Sequence, residues 1–410
     1  MTVWKMPGLS CALEMVFIGG FLSLTLAPHA LGQTLRDAEY KAASTLGLTH
    51  LYRLEHDQAV ELFYELQEKY PDHPGPPLAR AVAIWLRELV AREDLDLDRF
   101  ISPGYFTRHS QKAMPEADVE AFFEGIAKSQ KNAEKYLEAH PGDHEARYYL
   151  GACHGALGVF AFTIERSYRK ALKHGRETYR IQSAIVDENP DFIDAYMTLG
   201  SYEYVVGNLP WYIKWFATLA GYHGSETRGF EYVARAAREG YLVKDDARLL
   251  LMVMYVREDE NEYALEVAQQ LHRRYPENYL LHLNQAKILE RMDEPVRAAA
   301  MYAEVAERAE KKVPNYQKLP LEKIRYPLGT RLLALGSEDR ALDQFKVAAD
   351  DPDTPERERA LSNLRAGEIL DTMGRRDEAV GHYRRVQQLQ AFDGSHEIAE
   401  QYLQSPYQPD

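Results

Sequence analysis

The chain has 410 residues, of which 49 are Lys or Arg and 63 are Asp or Glu, so its formal net charge at pH 7 is −14. An acidic surface argues against nucleic acid as a partner, because nucleic-acid phosphates have to be neutralised by clustered Lys and Arg side chains. The same charge argues against electrostatic docking to anionic lipid.

The start of the chain predicts a secretory signal over residues 1–32. It combines Lys5, an apolar run at residues 15–27 and the small residues Ala30 and Gly32 at the positions that a signal peptidase reads. The apolar run is too short for a transmembrane helix, so no stable membrane anchor is predicted. We therefore expect an exported protein that is periplasmic or associated with the cell envelope.

Beyond this segment one spacing recurs five times. A small residue is followed by Ala 12 positions later, by an aromatic residue or Ala four positions after that, and by an aliphatic or small residue three positions further on. Helices approach closely only where side chains are small, so the spacing predicts antiparallel helix pairs that cross at one repeated contact. Four sets fit fully and one begins with Met: Gly47, Ala59, Phe63, Leu66; Met252, Ala264, Ala268, Leu271; Ala286, Ala298, Tyr302, Val305; Gly329, Ala341, Phe345, Ala348; Gly367, Ala379, Tyr383, Val386.

These residues resemble the pattern of tetratricopeptide repeat proteins, whose repeat is about 34 residues of helix, turn and helix. The resemblance implies a solenoid in which neighbouring repeats share a continuous core and a concave groove holds a protein or peptide partner. The copies lie at residues 40–73, 245–278, 279–312, 322–355 and 360–393.

The region between the first and second copies, residues 78–244, is degenerate. Residues 148–151 and 196–200 look like first helices of repeats, but Thr163 and Tyr212 stand where Ala belongs. We therefore expect partner helices that are displaced by insertions.

One insertion, residues 209–229, is rich in aromatic residues. Pro210 can begin a helix there and Gly221 can end it. The order of features resembles repeat proteins of the tetratricopeptide-39 and Iml2 type. The aromatic faces are either buried between repeats or exposed as anchors for a partner. The candidate partner-binding residues are four in this insertion and three on first helices: Trp211, Tyr212, Trp215, Phe216; Tyr148, Tyr196, Tyr255.

No motif for a metal, a nucleotide or a catalytic nucleophile is present. His140 and His144 have no third ligand nearby, so a structural role is favoured over a zinc site. Cys153 and His154 are adjacent and would point about 100° apart on a helix, so they cannot act as nucleophile and base. Cys153 would be the one cysteine of the mature chain, which leaves no intramolecular disulfide. No catalytic residue, metal ligand or cofactor is predicted.

The predicted fold is all-α, a right-handed superhelical solenoid of helical hairpins over residues 33–410, with an irregular middle and a capping helix at residues 395–403. The predicted function is that of a non-catalytic protein-binding or peptide-binding scaffold in the cell envelope. Two alternatives stay open. One is an envelope enzyme with its site in residues 100–225, using Glu165 or Glu203. The other is a carrier of a lipid or other hydrophobic ligand, suggested by the aromatic insertion.

Overall fold

Helices form the regular secondary structure of the chain wherever the structure describes it. The structure is a computed structural model and describes residues 38–92, 94–95, 97, 113–208, 214–215, 218, 221–319 and 321–409. The elements in these ranges are α-helices and one short 3₁₀ helix, with no strand, which confirms the all-α class. None of the helices in these ranges is both long and apolar enough to cross a bilayer. The predicted signal segment lies outside the described residues.

The chain divides into two compact units, Met1–Tyr275 and Pro276–Asp410. In the described part of the first unit, consecutive helices pack against each other as five hairpins. The hairpins are α1 (Ala38–Tyr52) with α2 (His56–Lys69), α3 (Gly75–Ala91) with α4 (Glu116–Ala139), α5 (His144–Thr163) with α6 (Tyr168–Glu188), α7 (Asp194–Gly207) with α8 (Glu226–Glu239), and α9 (Lys244–Arg257) with α10 (Asn261–Arg274).

The described residues of the second unit form three hairpins and a last helix packed on the third hairpin. Its elements are α11 (Tyr279–Arg291) with α12 (Pro295–Glu310), the 3₁₀ helix Tyr316–Lys318, α13 (Glu322–Ala334) with α14 (Glu338–Asp350), α15 (Glu356–Thr372) with α16 (Arg376–Val386), and α17 (Ser395–Gln404). A single solenoid through both units stays a prediction.

The repeated spacing marks the contact between the two helices of a hairpin. A Cβ atom added to Gly47 would lie 2.5 Å from the ring of Phe63, and one added to Gly329 would lie 2.7 Å from the ring of Phe345. The glycine therefore leaves room for the ring 16 residues later, which is why the first position of the pattern is small. The Ala at the second position is fully buried in all five copies: Ala59, Ala264, Ala298, Ala341, Ala379.

In the degenerate middle the partner of each small residue lies further along the chain. A Cβ on Gly151 would meet the Gln182 amide nitrogen at 2.7 Å, and one on Gly200 would meet Val233 at 2.7 Å. These partners stand 31 and 33 residues away instead of 16. The hairpins α5–α6 and α7–α8 therefore keep a close crossing, with a partner residue about twice as far along the chain.

One contact of the first unit joins elements far apart in sequence. The Tyr52 hydroxyl at the end of α1 donates to Asp246 Oδ1 in α9 at 2.6 Å, and the Tyr275 hydroxyl donates to Asp245 Oδ2 at 2.6 Å. The rings of Tyr52 and Tyr275 stack with centroids 4.8 Å apart. All four side chains are buried. In a plain repeat array each repeat contacts only its neighbours, so this cluster, which links the first hairpin to the fifth, was not predictable from the repeat pattern.

Candidate functional site

A cleft of about 770 Å³ runs across three interhelical turns of the first unit. These turns join α4 to α5, α6 to α7 and α8 to α9. The volume lies within the range of about 300–1,000 Å³ typical of ligand sites. Its lining residues come from all three turns and the helix ends beside them: His140, Pro141, Gly142, Asp143, His144, Glu145; Asn189, Asp191, Phe192, Ile193, Asp194; Glu239, Tyr241.

Side chains within the turns hold the cleft in shape. Asp143 is the N-cap of α5 and its Oδ1 accepts the Ala146 backbone N–H at 2.8 Å, which satisfies a donor that the helix itself leaves unpaired. The Asp194 carboxylate accepts the backbone N–H groups of Tyr241 at 2.9 Å and Leu242 at 3.4 Å. Burial raises the pKa of Asp194 above its usual value, against the effect of these backbone donors. The second turn is thereby tied to the third.

The predicted site residues Tyr148 and Tyr196 lie beneath the cleft. Tyr148 is fully buried, and its ring packs against Phe192, a lining residue, with centroids 5.3 Å apart. Tyr196 is also buried, and its hydroxyl donates to the Pro190 carbonyl at 3.2 Å in the second turn. Both rings are therefore part of the packing beneath the cleft. That they contact a partner stays a prediction.

The open side of the cleft is aromatic and acidic. Tyr241 is 63% exposed at the third turn. The Asp191 side chain is 96% exposed and that of Glu239 is 49% exposed. In α8, Arg235 Nη2 lies 4.0 Å from Asp191 Oδ1, and its Nε lies 3.2 Å from Glu239 Oε2. The same guanidinium stacks over the Tyr196 ring, with Cζ 4.4 Å from the ring centroid. One cation thus stands beside two exposed carboxylates.

Two other predicted partner-binding residues, Tyr255 and Trp215, are not among the lining residues of this cleft. Tyr255 is half-buried, and its ring lies between Phe230, at 5.2 Å, and the exposed Tyr263, at 5.3 Å. Trp215 is 58% exposed. Trp211, Tyr212 and Phe216 lie outside the described residues, so the choice between a buried and an exposed aromatic insertion stays open.

The carboxylates considered for an enzyme are held in ion pairs and hydrogen bonds. Glu203 is only 1% exposed and accepts hydrogen bonds from the Tyr179 hydroxyl at 2.7 Å, the Ser225 backbone N–H at 2.8 Å and Arg228 at 2.8 Å. Both its oxygens are therefore used to join α6, α7 and the start of α8. Glu165 is paired with Lys170 at 2.9 Å. These contacts give Glu203 a structural role.

Cysteine and histidine side chains also have structural contacts. Burial raises the pKa of the Cys153 thiol to about 12, and its sulfur lies 3.2 Å from Ser129 Oγ. His154 faces His174 with the two Nδ1 atoms 3.2 Å apart, so Cys153 and its neighbour do not interact as nucleophile and base. His144 is hydrogen-bonded to Glu188 at 3.1 Å. No cluster of three or more metal-ligating side chains occurs among the described residues.

Sequence reasoning missed Asp191, Phe192 and Tyr241. A weak signal exists, because a proline followed by turn-forming or acidic residues recurs at the ends of second helices, as in residues 140–143 and 189–191. The spacing of these turns along the chain does not reveal that they border one cleft.

The chain is similar in part to a known repeat family and to several solved structures. The tetratricopeptide repeat family matches residues 38–73, which contain α1 and α2. No curated protein matches the chain. The yeast Tom70 crystal structure aligns over 90% of this chain and 89% of that chain at 14% identity, with a TM-score of 0.34. The human IFIT1 dimer with m7Gppp-AAAA aligns over 96% and 89% at 14% identity, with a TM-score of 0.38. TTC0263, a thermophilic TPR protein of Thermus thermophilus, aligns over 61% and 94% at 19% identity, with a TM-score of 0.21.

The described chain is built of helical hairpins, and the first of them matches the tetratricopeptide repeat. Folds of this type act in general as scaffolds for protein partners, because stacked hairpins create extended surfaces. The resemblance of the middle region to the tetratricopeptide-39 and Iml2 type stays a prediction.

Proposed function

We propose that the protein is a non-catalytic scaffold that binds a segment of a protein or peptide in the cleft between the three turns. The observation that carries this proposal is a cleft of ligand size, about 770 Å³, in a helical-repeat protein. The cleft combines an apolar wall of Phe192, Ile193 and Tyr241 with carboxylates at its edge. Apolar walls with a few placed polar groups are typical of binding sites.

The construction of the turns supports this role. Asp143, Asp194 and Tyr196 fix the backbone of all three turns through the hydrogen bonds described above. A site whose backbone is already ordered loses little conformational entropy on binding, so more of the contact energy appears as affinity. The buried position of Glu203 supports a scaffold rather than an enzyme, since a catalytic carboxylate has to reach its substrate.

We further propose that the scaffold acts in the cell envelope after export. The support is the signal-like segment at residues 1–32, with Ala30 and Gly32 before the expected mature start at Gln33. Amino-terminal sequencing of the exported protein tests this. Finding the intact segment in the membrane fraction would show that it is an anchor.

Selection from a random peptide library displayed on phage, with the purified chain as bait, tests the binding function. The Kd of each selected peptide is then measured by fluorescence anisotropy for wild type and two variants. Tyr241→Ala should weaken binding about tenfold, a loss of about 1.4 kcal/mol. Tyr263→Ala is the matched control, because that tyrosine is similarly exposed, at 55%, and lies outside the cleft lining. The proposal fails if no peptide is selected, or if the two variants bind equally.

A further inference from the structure

The charged groups of the cleft are almost all of one sign. Five lining residues carry carboxylates, and no lining residue is Lys or Arg. Two of the five, Asp143 and Asp194, are compensated by backbone N–H groups. A third, Glu145, is buried in the first turn of α5. The remaining two, Asp191 and Glu239, are exposed and share one guanidinium, that of Arg235.

This single guanidinium cannot balance both exposed carboxylates. The Arg235 guanidinium also stacks on the Tyr196 ring, and this contact holds the arginine side chain in place. Arg147 of α5 donates to Glu188 at 2.8 Å and holds the pKa of that carboxyl at about 2, so its charge is already matched. Arg238 and Lys244, on either side of the third turn, are not lining residues of the cleft. The cleft therefore presents an excess of negative charge beside an apolar wall.

We propose that the occupant of the cleft is a basic peptide segment, with Lys or Arg next to an apolar residue. The inference rests on the proposed binding function and adds the chemistry of the partner. The aliphatic stem of Lys or Arg packs on apolar surface while its charged end stays in water or meets a carboxylate. Phe192 and Ile193 supply the apolar surface, Asp191 and Glu239 supply the charge, and the exposed Tyr241 ring offers a face to a cation.

Peptides that the display selection yields provide the test, because the random library is unbiased in charge. Peptides whose binding depends on Tyr241 should be enriched in Lys and Arg. Changing the basic residues of the tightest peptide to Gln should weaken it about tenfold, and raising the salt from about 0.05 to 0.5 M should weaken the basic peptide more than its Gln version.

The variant Asp191→Asn with Glu239→Gln should remove most of the preference for the basic peptide over its Gln version. The matched control is Asp350→Asn with Glu378→Gln. It makes the same chemical change and the same change in net charge at two exposed side chains outside the cleft lining. Thermal melts followed by circular dichroism confirm that both variants fold. Because both cleft residues are exposed, neither substitution creates a cavity.

The outcomes separate this inference from the binding function. Tyr241-dependent peptides without basic enrichment, or with acidic enrichment, overturn the inference and leave the binding function standing. Failure to select any Tyr241-dependent peptide overturns both. Spermidine serves as a small-cation probe, and it should displace the bound peptide less well than an unlabelled copy of that peptide does. Stronger displacement by spermidine would assign the cleft to a polyamine and contradict a peptide occupant.

Discussion

The substitution Gly367→Ala tests the contact on which the repeated helix crossing depends. A Cβ atom at this position of α15 would lie 2.4 Å from Tyr383 Cε1 and 2.7 Å from Cζ, closer than carbon atoms can approach. The Tyr383 ring cannot move away freely. It is fully buried, and its hydroxyl donates to Asp371 Oδ2 at 2.9 Å. The same carboxylate is paired with Arg376 at 3.0 Å.

Three effects determine how much Gly367→Ala changes the free energy of unfolding. Overpacking a close contact costs about 1–3 kcal/mol. Shifting the ring away from Asp371 weakens a hydrogen bond that contributes about 0.5–1.5 kcal/mol. In the opposite direction, Ala in a helix interior is more stable than Gly by about 1 kcal/mol. We therefore expect Gly367→Ala to lower the free energy of unfolding by about 1–3 kcal/mol.

Gly381→Ala is the control, because Gly381 lies in α16 of the same hairpin and a Cβ there would have no neighbour within 4 Å. This variant has the helix-propensity gain without the clash, so it should be more stable than wild type by up to about 1 kcal/mol. Urea unfolding followed by far-UV circular dichroism measures both. Tryptophan fluorescence is unsuitable, since residues 276–410 contain no tryptophan.

Repeating the Gly367→Ala substitution in a Tyr383→Ala variant shows whether the Tyr383 ring causes the loss of stability. With Tyr383→Ala the ring is absent, so adding Ala at position 367 should no longer destabilise the protein, and the two changes should be strongly non-additive. The reasoning is refuted if Gly367→Ala is as stable as wild type, or if its cost persists in the Tyr383→Ala background.

Three further predictions concern the first unit. Ala264→Leu should cost about 1–3 kcal/mol, because Ala264 is fully buried at a helix crossing, and an unchanged calorimetric melting temperature would contradict this. Burial lowers the pKa of His73 to about 3, while its Nδ1 accepts the Gly75 N–H at 2.9 Å. Protonation therefore favours the unfolded chain, and stability should fall as the pH drops below about 6.5, by on the order of 2 kcal/mol at about pH 5. Urea unfolding at about pH 7 and at about pH 5 should show this loss of stability in the wild type and not in His73→Gln. Tyr52→Phe removes the donor to the buried Asp246 and should cost about 1–3 kcal/mol, measured by urea unfolding with tryptophan fluorescence; an unaltered midpoint would show that the Tyr52–Asp246 bond adds no stability.

The regular hairpins could be predicted from the sequence because their key contact is local. In the hairpin of Gly47 and Phe63 the two residues are 16 positions apart, and one turn between two helices is enough to bring them together. Helical periodicity, small residues at crossings and turn signals all act over this distance. The start of α17 at Ser395, after Gly394, follows from the same kind of local signal.

The candidate site was less predictable because it depends on displaced and distant contacts. Tyr148 and Tyr196 occupy the positions where a first helix of a plain repeat places its aromatic residues. Their burial depends on which helix covers them, and the small residues beside them, Gly151 and Gly200, take partners 31 and 33 positions away. No short-range pattern encodes that separation.

The sequence by itself determined that the chain forms helical hairpins and where their helices cross, since the residues involved are close along the chain. Only the tertiary structure decided that the turns around Asp143, Asp191 and Tyr241 line one cleft and that Tyr52 meets Asp246. These residues are brought together by the stacking of whole hairpins. Small changes in packing angle accumulate from one hairpin to the next. The sequence of a single hairpin therefore does not predict which turns of other hairpins will lie beside it.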